Sequence, residues 1–206
     1  MKRRIALFAV LISPLFMAMQ CGEDDAAATL SLEDVKVTIS PETSLTLGDT
    51  LWIEGEVTSK AYNSESKDSI FNNLGRSNSI AVYKFVSPNL ETKINTKDAL
   101  NSFQIVNELG ATYKTEYCPN ADFSVESALS EEGLTYRYRI GIKAIDKGDF
   151  IITVGFQAKL LNTDRNVELL SAYALKDPGM IGFNSCNNYT WTFIDEITNG
   201  YLFSVQ

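Results

Sequence analysis

Between Leu134 and Leu160 apolar residues recur at every second position for longer than anywhere else in the chain. Leu134, Tyr136, Tyr138, Ile140, Ile142 and Ala144 alternate with Thr135, Arg137, Arg139, Gly141 and Lys143. After Asp146-Lys147-Gly148-Asp149 the period resumes with Phe150, Ile152, Val154, Phe156, Ala158 and Leu160. Successive side chains on a strand point to opposite faces, so the pattern demands one face in a core and one in water. A short glycine-containing link between two such runs reads as a β-hairpin loop. We therefore expect one long hairpin at the centre of a sheet. Tyr138, Ile140, Val154 and Phe156 should face inward, and Arg137, Arg139 and Lys143 outward.

The rest of the chain repeats this grammar in shorter pieces. Val35, Val37 and Ile39 alternate with polar residues up to Ser40-Pro41. Leu45-Thr46-Leu47 follows, Gly48-Asp49 turns, and Leu51, Ile53, Gly55 and Val57 line one face of the next strand. Residues 58–78 are rich in Ser, Asn and Lys and read as a long exposed loop. Ile80–Val86 carries apolar residues at both parities, as in a strand covered on two sides. Thr96 has the character of an N-cap for a short helix. Phe103–Val106, Phe123–Val125, Val167–Tyr173, Tyr189–Ile194 and Tyr201–Val205 are further strand candidates, and Ile181-Gly182-Phe183 reads as core or edge strand. Eight to ten short strands with at most one short helix predict an all-β antiparallel sandwich. Leu45 to Gly55 also resembles the opening strands of immunoglobulin-like modules on bacterial surfaces, which implies an immunoglobulin-like arrangement.

The first 20 residues form an export signal: Lys2-Arg3-Arg4, then an apolar stretch from Ile5 to Met19 broken by Ser13-Pro14. Ala18-Met19-Gln20-Cys21 closes it, with Glu23-Asp24-Asp25 just behind. This order resembles a bacterial lipoprotein, in which the cysteine is diacylated and becomes the new N-terminus; Gln20 stands where Gly, Ala or Ser is usual. The acidic triplet resembles the outward export tag of Bacteroidota surface lipoproteins, carried here by Glu23, Asp24 and Asp25. These resemblances imply a signal peptide over 1–20, a lipidated acidic tether over 21–32 and one folded domain over 33–206. They also imply an outer-membrane lipoprotein displayed at the cell surface and held in the membrane through Cys21.

Charge and composition narrow the chemistry. Removing the signal takes away three of 18 basic residues against 26 acidic ones, moving the formal charge from −8 to −11. Nucleic-acid phosphates would be repelled by such a surface, so no nucleic-acid partner is expected. There is no histidine, which removes Ser-His-Asp and Cys-His catalysis and the commonest nitrogen ligand for metals. Glu54 and Glu56 share one strand face at roughly 7 Å, within the range used for inverting glycosidic cleavage, but two glutamates at alternate positions are common on any exposed strand. Trp52 on the same face offers a flat ring for stacking on a sugar. Asp146 and Asp149 lack the alternation of oxygen ligands that calcium loops use, and a turn accounts for them. We expect no cofactor, no metal and no catalytic centre.

Cys118 and Cys186 remain once Cys21 carries lipid; in an oxidising compartment they either pair or stay as buried thiols. Asp68-Ser69-Ile70 and Asp49-Thr50-Leu51 resemble the Bacteroidota O-glycosylation acceptor, at Ser69 and Thr50, and Asn188-Tyr189-Thr190 fits the N-linked pattern. The functional expectation is a non-catalytic binding module for a protein or glycan ligand. A pilin-like adhesive lipoprotein and an accessory glycan-binding protein of a nutrient-uptake system are the alternatives.

Overall fold

The long alternating stretch splits between two sheets instead of forming a hairpin. In the computed structural model, which describes residues 29–155, 157–164, 166–177 and 179–206, the chain opens with β1 (Leu30–Ser31), β2 (Val35–Ile39), β3 (Ser44–Leu45), β4 (Thr50–Thr58), β5 (Lys60–Asn63) and β6 (Asp68–Phe71). Then come β7 (Ser77–Asn89), β8 (Ile94–Asp98), a 3-10 turn at Leu100–Ser102, β9 (Phe103–Leu109), β10 (Ala111–Lys114), β11 (Asp122–Glu126) and β12 (Ala128–Leu129). The alternating stretch supplies β13 (Thr135–Ala144), β14 (Gly148–Val154) and β15 (Ala158–Leu160). Helix α1 (Val167–Ser171), β16 (Met180–Ser185), β17 (Asn188–Phe193) and β18 (Gly200–Val205) complete it.

Strand β13 lies between β4 and β9, with Ile140 opposite Ile53 and Tyr138 opposite Gly55. Strand β14 lies in the other sheet, between β7 and β18, with Phe150 opposite Lys84 and Phe203. The link Ile145–Lys147 therefore crosses the end of a sandwich. Lys84 holds it there: its ammonium donates to Asp146 Oδ2 at 2.8 Å and to the Lys147 carbonyl. Gly148, at φ +144, leaves room for the Lys84 stem, since a Cβ would stand 2.4 Å from Lys84 Cε. Alternation records which residues face a core, and it reads the same whether successive strands pair side by side or face each other across it.

The first sandwich strand is shared between the sheets. β2 runs antiparallel to β4, and beyond Pro41 β3 runs parallel to β18 in the opposite sheet. The order β2-β4-β13-β9 in one sheet and β7-β14-β18 in the other is the A-B-E-D and C-F-G arrangement of an immunoglobulin-like sandwich. The fold is thus all-β, with one short α-helix among the described residues, as expected.

Between the sheets Leu51, Ile53, Tyr138, Ile140 and Ile142 meet Ile80, Val82, Phe150, Ile152 and Phe203 in one buried cluster that also contains Val154. Phe150 stacks on Phe203 at 5.5 Å and meets Phe103 edge-on at 4.8 Å. Gly55 belongs to this layer because Tyr138 lies over it: a Cβ there would stand 2.1 Å from the ring. A second cluster covers the outer side of β14. Ile151, Phe85 and Leu202 from that sheet pack against Leu170, Ile181, Phe183, Ile194 and Ile197. Helix α1, the β16–β17 hairpin and Ile194–Ile197 thus form a third layer.

Several expectations need correction. Thr96 does not cap a helix; it is buried in β8 and donates to the Gly182 carbonyl at 3.1 Å. Val167–Tyr173 is not a strand. Asn166 accepts from the Leu169 N–H at 2.9 Å, capping α1, and Leu169, Leu170 and Tyr173 share a helical face turned to the second cluster. Residues 58–78 contain the β5–β6 hairpin where a loop was expected, although β6 is exposed throughout. Leu30 and Ser31 of the expected tether pair with Asn63 and Tyr62. Leu134 is exposed, and Phe156, Cys21, Glu23, Asp24 and Asp25 lie outside the described residues.

Two tyrosines, half-buried Tyr173 in the third layer and buried Tyr201 in the main core, make the fold sensitive to alkali. Tyr173 donates to Asp149 Oδ2 at 2.7 Å, and desolvation, reinforced by that carboxylate, pushes its pKa up to about 12. Tyr201 donates to the Ser40 carbonyl, and desolvation with the charges of Asp164 and Glu42 brings it to about 12 as well. A raised folded-state pKa means that the native form holds protons the unfolded chain has lost. This stabilisation is complete below about pH 10 and disappears as pH rises through 12. Urea midpoints should therefore fall between pH 10 and 12, and Tyr173→Phe should flatten the fall.

Candidate functional site

The outer face of the first sheet carries the residues singled out from the sequence, and the structure ties them to one another. Lys36, Glu56 and Arg137 stand side by side across β2, β4 and β13, as do Thr38, Glu54 and Arg139. Arg137 Nε lies 2.9 Å from Glu56 Oε2. Arg139 pairs with Glu54, and with Glu108 at 2.9 Å. Its guanidinium carbon lies 4.5 Å from the centre of the Trp52 ring, and the same indole leans over Gly141, where a Cβ would stand 3.1 Å from the ring. The face forms an open concavity of about 660 Å³. Each glutamate is bonded to the arginine opposite it, and the Trp52 ring is already stacked. These contacts satisfy a solvated sheet face.

A more open surface lies on the third layer. Strand β17 pairs only with β16 among the described strands, and its residues Tyr189, Trp191 and Phe193 share one face. They are 46%, 49% and 42% exposed, whereas aromatic side chains are ordinarily covered. The strand is firmly held. Asn95 Oδ1 accepts from the Gly182 N–H at 2.9 Å, joining β16 to β8 through a side chain. A Cβ on Gly182 would stand 1.8 Å from the Lys93 carbonyl oxygen, so only glycine permits that approach. The Trp191 indole N–H donates to the Thr92 carbonyl at 3.2 Å. At the tip of the hairpin Cys186 is bonded to Cys118, with Cα atoms 6.0 Å apart.

Asp98 Oδ2 accepts from the Cys186 N–H at 2.8 Å. Asp98, Cys118 and Cys186 are the one cluster of potential metal ligands among the described residues; with the sulfurs bonded to each other, no thiolate pair is left to ligate. Asp146 is taken by Lys84, and Asp149 accepts from Tyr173 and Ser204, so neither collects the oxygens of a calcium site. Ser69 lies exposed on β6 rather than in a loop. Thr50 opens β4, and its methyl group sits where a Cβ on Gly141 would come within 2.6 Å, so this threonine is the more crowded acceptor. Asn188 and Thr190 are exposed on β17.

The strand expected over Tyr189–Ile194 is present as β17, but it belongs to the third layer and not to the sandwich. The signal that it stands apart was composition: Tyr189, Thr190, Trp191, Thr192 and Phe193 place large residues or threonine at both parities, without the small or charged residues that mark a solvated face. No helix among the described residues is long and apolar enough to cross a membrane.

Compared with known proteins, the chain matches no family model and no curated protein. Among solved structures it is similar to a type II cohesin domain from the cellulosome of Acetivibrio cellulolyticus, with 13% identity over 86% of this chain and 92% of that one, at a TM-score of 0.28. So loose a superposition decides neither fold nor function, and the immunoglobulin-like assignment rests on the strand register described above.

Proposed function

We propose that this protein is a non-catalytic binding module of the bacterial cell envelope, anchored through lipid on Cys21 and displayed at the surface, with β17 as its binding strand. The observation that carries the binding half is the open aromatic face of β17, braced by a disulfide and by side-chain bonds to β8. A face held that rigidly loses little conformational entropy on meeting a ligand. The anchoring half rests on the basic, apolar and cysteine order of residues 1–21. Seven residues lie between Cys21 and Thr29, eight Cα–Cα steps that reach at most about 29 Å, so the domain would stay close to the bilayer.

Cys21→Ser should move the protein from the membrane to the soluble fraction, because acyl chains contribute about 0.8 kcal/mol per buried methylene. Replacing Glu23, Asp24 and Asp25 together by alanine should leave it membrane-bound but protected from protease added to whole cells. Unchanged membrane partitioning of Cys21→Ser refutes the anchor. Unchanged digestion of the triple variant refutes the tag.

A further inference from the structure

We propose that β17 binds a neutral oligosaccharide laid along Tyr189, Trp191 and Phe193; this rests on the binding-module reading and gives its ligand a chemical class. Alternate side chains of a strand repeat at about 6.6–6.8 Å, so the three rings form a row about 13 Å long. That is longer than one sugar ring and calls for a chain of several. Pyranose rings present a C–H face that packs on aromatic surfaces, and their hydroxyls bond to amides and alcohols. The ring row supplies the first partner, and Asn184, cross-strand from Tyr189 on the same face, supplies an amide; Asn188, Thr190 and Thr192 point to the opposite face.

The charge pattern selects among occupants. From Gly179 to Phe193 there is no Asp, Glu, Lys or Arg, in a chain of which 21% is charged and the net charge is −8. An anionic polymer would be repelled by the protein as a whole and would find no cation on the strand. A basic peptide would meet one carboxylate at the end of the strand, Glu196, already engaged by the Thr192 hydroxyl and the Phe193 N–H. A neutral polyol needs neither. An added peptide strand or a second copy of β17 would use the strand's free edge, through backbone bonds that side-chain truncation leaves intact.

The test is affinity electrophoresis of the detergent-solubilised full chain through gels containing mixed-linkage β-glucan, galactomannan or polygalacturonate, beside a fluorescent basic peptide as probe. At least one neutral polymer should retard the protein, and polygalacturonate should not. Trp191→Ala should weaken retardation by about tenfold or more, as for a central aromatic anchor. Tyr189→Ala, which removes an exposed ring, tests the same face without touching the Thr92 bond. Trp52→Ala should stay within about twofold of wild type. Retardation indifferent to both β17 variants, or seen only with polygalacturonate, overturns the proposal. Trp191-dependent binding of the peptide without neutral-polymer binding overturns the sugar class and leaves the binding strand standing. No Trp191-dependent binding of any probe overturns both.

Discussion

Ile140→Ala should lower the unfolding free energy by about 2–5 kcal/mol, the range for emptying a packed aliphatic site. Ile140 is fully buried, paired with Ile53 on one side and Asn107 on the other, in the cluster that joins the two sheets. The backbone on both flanks is fixed by ladder bonds, so the site collapses little when the side chain shrinks. Arg139→Ala, one residue away and on the opposite face, should lower it far less, despite its two ion pairs and its contact with Trp52. Exposed pairs in water contribute little net free energy. Urea melts of the two variants decide the matter: equal losses would mean that the buried face of β13 is assigned the wrong way round.

Serine at both Cys118 and Cys186 should destabilise by about 4 kcal/mol in the chain-entropy account of a crosslink, because the bond closes a loop across a sequence separation of 68 residues. The loss should also be uneven. The bond joins the segment before β11 to the turn of the β16–β17 hairpin, which otherwise meets the sandwich through Asn95, Thr96, Asp98, Trp191 and the second cluster. Amide exchange in residues 180–193 should therefore rise more than in β13 or β14. A double variant that melts with the wild type, or exchanges uniformly, would show that the hairpin is held without the crosslink.

Much of the sandwich is legible in the chain. Val35, Val37 and Ile39, the Leu51–Val57 face, and the inward set Tyr138, Ile140 and Val154 all fall where period-two alternation places them, because burial on one side of a pleated sheet is a local property of the sequence. Partnership is not local. Nothing in residues 134–154 says that Lys84, some sixty positions earlier, will hold the 145–147 link across the end of the sandwich and send β14 into the other sheet. The third layer escapes for a related reason. Ile151 has the wrong parity for the main core, and its burial makes sense only once Ile181 and Leu202 are known to meet it. At the candidate site, Trp52 and Glu54 advertise chemistry by type and spacing, and Arg139 consumes both. Tyr189, Trp191 and Phe193 read as ordinary strand residues, since their exposure depends on how far the hairpin overhangs the body.

The position of β18 bears on when the protein can fold. This strand lies between β14 and β3; Tyr201 and Phe203 enter the main core, and Leu202 enters the second. Until residues 200–205 arrive, β14 presents a bare hydrogen-bonding edge, β3 has no partner, and each apolar cluster lacks a wall. β18 therefore closes both layers at once, and neither apolar cluster is walled in until it docks.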